Sequence, residues 1–119
     1  MADILVCDDD DDFADMLMRY LKSLGHAVER CHDAVAVASQ LLKKKPDMLV
    51  CDIEMPGGGG IATTRFLKSI GAEELPIIVC SGLPLEEQRG FFSGLKRIAF
   101  FQKPVDLDAF ERTLREFLP

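Results

Sequence analysis

Five times along the chain a short apolar run is followed by a turn rich in Gly, Pro, Asp or Ser, and then by apolar residues spaced three and four apart. The runs are Ile4 to Cys7, Ala27 to Cys31, Met48 to Cys51, Ile77 to Cys80 and Ile98 to Phe101, each long enough for a strand and too short for a helix. The first helical stretch carries Phe13, Met16, Leu17, Tyr20, Leu21 and Leu24, with Asp11 or Asp12 as N-cap and Gly25 as stop. The second runs from Asp33 through Val37, Leu41 and Leu42 into Lys43-Lys44-Lys45-Pro46, where basic side chains suit the negative end of a helix. Ile61, Phe66, Leu67 and Ile70 mark the third, and Leu107, Phe110, Leu114, Phe117 and Leu118 the fifth. The fourth, Leu85 to Leu95, is weakened by Gly90 and Gly94. Parallel strands need a crossover between neighbours, so this alternation predicts an α/β fold: a doubly wound five-stranded parallel sheet with helices on both faces.

A chain of 119 residues, 48% of them hydrophobic, fills one core and reads as a single domain over 1–119. The formal net charge of -6 argues against direct nucleic-acid binding, which rests on neutralising phosphates, and favours cations or basic partners. Cys7, Cys31, Cys51 and Cys80 lie in apolar runs without CxxC pairing and read as reduced core thiols. No apolar run approaches the ~20 residues of a membrane span, so a soluble protein of the reducing cytoplasm is expected. His26, His32 and Lys43 to Lys45 read as surface residues.

In a parallel doubly wound sheet functional groups gather beyond the carboxyl ends of the strands. Strand one ends at Asp8-Asp9, strand three at Asp52, strand four at Ser81, and strand five just before Lys103-Pro104. Three carboxylates, a hydroxyl and an ammonium therefore meet at one sheet edge. Crowded carboxylates resist sharing a site unless a cation screens them, and an all-oxygen set suits Mg²⁺. A metal alone needs neither Lys103 nor Ser81, whereas a phosphoryl group would use both. A carboxylate beside metal and phosphoryl can also act as nucleophile.

The segments "ILVCDDDDDF", "DMLVCDIEMPGGGGI", "IIVCSG" and "FFQKPV" together resemble the signature segments of the receiver domain of two-component response regulators, in the family's order and across essentially the whole chain. The resemblance implies a flavodoxin-like fold with strand order 2-1-3-4-5. It makes Asp52 the phosphoacceptor. Asp8 and Asp9 become the acidic pair for Mg²⁺, with Asp52 and the backbone carbonyl of Glu54 completing the ligands. Ser81 and Lys103 become the phosphoryl contacts, Ser81 and Phe100 the switch pair, and Lys103-Pro104 a cis peptide. It further implies phosphoryl transfer from the phosphohistidine of a sensor histidine kinase or a histidine phosphotransfer protein. Output would pass to an output domain or downstream protein through the face of the fourth helix, fifth strand and fifth helix, and a homodimer is compatible with it. A receiver is not an enzyme in the usual sense, although it assists its own phosphorylation and dephosphorylation. The chain reads as a stand-alone receiver or as the N-terminal receiver piece of a longer protein.

Three features depart from the family pattern or stand outside it. Gly59 occupies a position where Asp is usual, which leaves the third helix without a cap and the four-glycine loop with much entropy to lose. In Gly90-Phe91-Phe92-Ser93-Gly94-Leu95 the two phenylalanines read as core residues, or one of them as an exposed partner anchor. Cys7, Cys51 and Cys80 each precede a site residue, and alternation predicts a thiol row on one sheet face. Two other functions compete. A phosphorylation-independent pseudo-receiver would keep the fold as a docking module, and a haloacid-dehalogenase-like phosphohydrolase would use Asp8-x-Asp10.

Overall fold

In the computed structural model, which describes residues 1–92 and 94–118, the strands are β1 (Asp3–Cys7), β2 (Ala27–Cys31), β3 (Met48–Cys51), β4 (Ile77–Ser81) and β5 (Ile98–Gln102). They form one parallel sheet in the order β2-β1-β3-β4-β5. Every residue of β3 and β4 is buried, as central strands covered on both faces must be, whereas the edge strands β2 and β5 are only partly covered.

The helices are α1 (Asp11–Ser23), α2 (Ala34–Lys43), α3 (Gly59–Ser69), α4 (Leu85–Arg89) and α5 (Leu107–Phe117). One core layer joins Ile4, Val6, Met48, Val50 and Ile78 to Leu17 and Leu21 of α1 and to Phe110 and Leu114 of α5. The opposite layer joins Leu5, Leu49, Ile77 and Val79 to Val37 and Leu41 of α2 and to Leu67 of α3. Phe110 is wholly buried, worth about 1.5–3 kcal/mol of transfer free energy for such a side chain.

Several local expectations are corrected. The N-cap of α1 is Asp10, whose extended backbone lets its carboxylate accept the Phe13 N–H at 3.2 Å, and Asp11 and Asp12 form the first turn beside the positive helix end. Instead of running to Leu95, α4 stops at Arg89, with Gly90 as its cap.

The thiol row is made of different residues. Cys7 is level with Cys51 on β3, but Cys51 is level with Val79 on β4, so Cys80 lies one residue further on and faces the α1/α5 layer. Cys31 takes its place beside Cys7 and Cys51. All four are buried free thiols, and burial pushes those of Cys51 and Cys80 far up.

Phe92 is buried and Phe91 half-buried, both packed in the α2/α3 layer, which supports the core reading. The Phe92 ring sits against Gly60, where an added Cβ would come within 2.8 Å of it, and packs edge-on to Phe100 at 6.0 Å between centroids. Of the surface residues, His32 and Lys43 to Lys45 are exposed, while half-buried His26 accepts the Ala2 N–H through Nδ1 at 3.1 Å.

Candidate phosphoryl-acceptor site

The sheet's carboxyl edge is assembled by backbone hydrogen bonds that continue the ladders beyond the strands. Asp8 N–H donates to the Cys31 carbonyl, Asp52 N–H to that of Cys7, and Lys103 N–H to that of Ser81. These bonds hold residues from β1, β3, β4 and the segment after β5 side by side. Asp8, Asp52 and Ser81 are buried, whereas Asp9 is exposed. Carboxylate oxygens of Asp8, Asp9 and Asp52 lie within 4.8 Å of one another.

Each buried carboxylate has one oxygen held by the backbone and one facing the site. Asp52 Oδ1 accepts the Ile53 N–H at 2.6 Å and the Glu54 N–H at 3.3 Å, and its Oδ2 faces the Lys103 ammonium at 3.3 Å. Asp8 Oδ1 accepts the Asp10 N–H at 2.9 Å, and its Oδ2 takes Lys103 Nζ at 2.8 Å. The Glu54 side chain is exposed. Burial raises the Asp8 carboxyl above its ordinary range, against the pull of Lys103 and the Asp10 N–H. Burial opposes the charge on Lys103 too, but the Asp8 hydrogen bond and the two negative charges together raise its pKa. Both directions agree with one ammonium shared between two carboxylates, the less exposed of which is dominated by desolvation.

Ser81 is wholly buried, and its Oγ accepts the Leu83 N–H at 3.2 Å, a bond within its own loop. Phe100 is half-buried on β5, opposite Val79, and the Lys103–Pro104 peptide is cis. Asp10 points elsewhere: it is exposed and its Oδ1 caps α1, which removes the second carboxylate from the Asp8-x-Asp10 pattern.

Two residues at this edge escaped the sequence. Gln88 of α4 is fully buried, and its Nε2 lies 2.7 Å from the Leu83 carbonyl, 3.1 Å from that of Phe101 and 3.4 Å from that of Ser81, joining α4 to the ends of β4 and β5. The only signal was an amide flanked by charged residues in a weak helix. Phe13 lies with its ring centroid 4.3 Å from Lys103 Nζ. Its position in the helical pattern marked it as core, and nothing local showed the ammonium 90 residues away in the sequence.

A doubly wound 2-1-3-4-5 sheet with an acidic cluster and a half-buried lysine at its carboxyl edge defines a class, and solved structures with this fold superpose on this chain. A putative response regulator from Chloroflexus aurantiacus is 27% identical with a TM-score of 0.82, covering 98% of this chain and 96% of that one. The receiver domain of the Pseudomonas aeruginosa sensor histidine kinase PA1611, a structure with magnesium coordinated in its active-site cleft, has a TM-score of 0.86 at 20% identity, covering 98% and 96%. At that identity the likeness concerns the fold. Residues 4–115 match the response regulator receiver domain, and the chain belongs to that family, the receiver domains of two-component systems. Response regulator MprA of Mycobacterium avium is 34% identical over 117 residues, 97% of this chain and 50% of the relative. The chain thus spans about half the length of the curated relatives it matches. No helix among the described residues is long and apolar enough to cross a membrane.

Proposed function

We propose that this receiver domain takes a phosphoryl group from a phosphohistidine onto Asp52 in a Mg²⁺-dependent reaction, and passes the change to a partner through α4, β5 and α5. The observation that carries this is Lys103 Nζ lying between Asp8 Oδ2 and Asp52 Oδ2, at 2.8 and 3.3 Å, beside the Asp8, Asp9 and Asp52 cluster. The all-oxygen donor set fits a hard dication, with Asp8, Asp9, Asp52 and the Glu54 carbonyl as the residues that would hold it. When bound, Mg²⁺ supplies positive charge against these carboxylates and against phosphoryl oxygens.

With Oδ1 engaged by two backbone N–H groups, Oδ2 of Asp52, which faces the site and Lys103, is the oxygen that attacks phosphorus. The P–O bond forms as the P–N bond to the donor imidazole breaks, and the imidazole leaves and takes up a proton. Lys103 pairs with one phosphoryl oxygen and Ser81 donates its hydroxyl to another, so catalysis is positioning and charge neutralisation. Attack by water on phosphorus then releases phosphate and restores the carboxylate, over a lifetime that the exposed Glu54 side chain is placed to tune. For Ser81 to reach the phosphoryl it must exchange its bond to Leu83 N–H, and Phe100 turns in behind it, reshaping the output face.

On this reading the domain works in the cytoplasm with a sensor histidine kinase or histidine phosphotransfer protein on one side. An output domain, a downstream protein or a second copy of the chain lies on the other. The test is incubation with Mg²⁺ and acetyl phosphate, read by intact mass. The expected result is one phosphoryl group that hydroxylamine removes and Asp52→Asn abolishes. No uptake with a folded protein would instead favour a docking module, and turnover independent of Asp52 a phosphohydrolase.

A further inference from the structure

We propose that Phe13 is a positioning residue for Lys103, its ring holding the ammonium at the site when Asp8 and Asp52 are taken up by a divalent cation; this rests on the Mg²⁺-dependent reading above. Among the described residues, Lys103 Nζ lies close to Asp8 Oδ2 at 2.8 Å, to Asp52 Oδ2 at 3.3 Å and to the centroid of the Phe13 ring at 4.3 Å. The two carboxylates also belong to the acidic cluster. A dication on them neutralises the charges that attract the ammonium and repels it directly. The ring attracts the ammonium through its quadrupole and offers nothing to a hard metal, so this contact persists when the other two weaken.

Phe13 is well anchored for such a task. Its N–H is held by the Asp10 cap at 3.2 Å, at the first turn of α1, and its half-buried side chain packs against the α1/α5 core layer. The Lys103 side chain is only 18% exposed, so the ring acts where water screens little. A leucine at position 13 would fill much of the same space without the quadrupole.

The experiment uses the full chain with Phe13 replaced by Leu, Tyr or Trp, and by isosteric 3,4,5-trifluorophenylalanine, whose ring face carries little negative potential. Phosphorylation by acetyl phosphate at saturating Mg²⁺ should slow about three- to tenfold for Phe13→Leu and for the trifluoro ring, and return toward wild type with Tyr or Trp. The second readout needs no turnover: the Lys103 ε-methylene proton shift, identified by its disappearance in Lys103→Arg. Ring current should move it upfield in wild type, with Mg²⁺ absent or present, and Phe13→Leu should abolish the displacement. An unshifted signal, or one that returns to the ordinary lysine position on adding Mg²⁺, would overturn the proposal, as would equal rates for the Phe and trifluoro proteins. If wild type takes no phosphoryl group, the function above fails, and the methylene shift still decides where the ammonium sits. If Phe13→Leu fails to fold, the isosteric fluorinated ring carries the comparison.

Discussion

Restoring the aspartate usual at position 59 should destabilise this protein. Gly59 opens α3 with φ +56, and a Cβ built on it would stand 1.9 Å from the Ile53 carbonyl oxygen. Real Cβ contacts essentially never fall below 3.0 Å, so the Ile53 backbone must retreat by about 1 Å. That carbonyl is the acceptor for Gly60 N–H at 3.0 Å, a bond that anchors the first turn of α3. The left-handed conformation costs a non-glycine residue about 1–2 kcal/mol, and overpacking of this kind about 1–3 kcal/mol. Gly59→Ala should therefore lose about 2–5 kcal/mol. In Gly59→Asp, negative charge at the helix N-terminus returns about 0.3–1 kcal/mol, leaving a net loss. Urea denaturation followed by circular dichroism should show lowered midpoints, by about 1–2.5 M for Gly59→Ala at an m-value of about 2 kcal/mol/M, the middle of the range for small domains. Gly82→Ala, with no atom within 4 Å of its added Cβ, is the control and should lose nothing. A Gly59→Asp protein as stable as wild type would refute the reasoning.

Other outcomes follow from the same edge of the sheet. Asp10→Ala removes the α1 cap and should cost about 0.5–2 kcal/mol in a urea titration while changing phosphoryl uptake little, whereas Asp9→Ala should abolish Mg²⁺-dependent uptake. Gln88→Leu strips the donor from the Leu83 and Phe101 carbonyls and should destabilise by about 1–3 kcal/mol; an unchanged midpoint would mean that water replaces the amide. Asp8 has a folded-state pKa above its unfolded one, so its contribution to stability is present at low pH and lost as pH rises through the folded value. In metal-free buffer Asp8→Asn should thus gain on wild type as pH increases, and parallel stability curves for the two proteins would contradict the assigned shift.

The fold was legible because it rests on short-range patterns. Apolar runs too short for helices, separated by helical periodicity, admit few arrangements other than a parallel sheet with crossovers, and the strand-end rule then picks out Asp8, Asp52, Ser81 and Lys103. What was missed depends on register and on long-range approach. Alternation alone placed Cys80 with Cys7 and Cys51, but the offset of β4 against β3 by one residue turns it to the other face, since the side-chain period is two. Phe92 was ambiguous until Gly60, 32 residues earlier, proved to be the surface it packs against.

By itself, then, the sequence determined the alternation of elements, the strand ends and the residue types brought to one edge, because periodicity and side-chain chemistry are local properties. Only the tertiary structure decided that Asp10 caps α1 while Asp8 and Asp52 share one ammonium, that Gly59 admits no side chain, and that Phe13 and Gln88 belong to the site. Those outcomes depend on distances between residues remote in the chain, which packing sets and no single segment encodes.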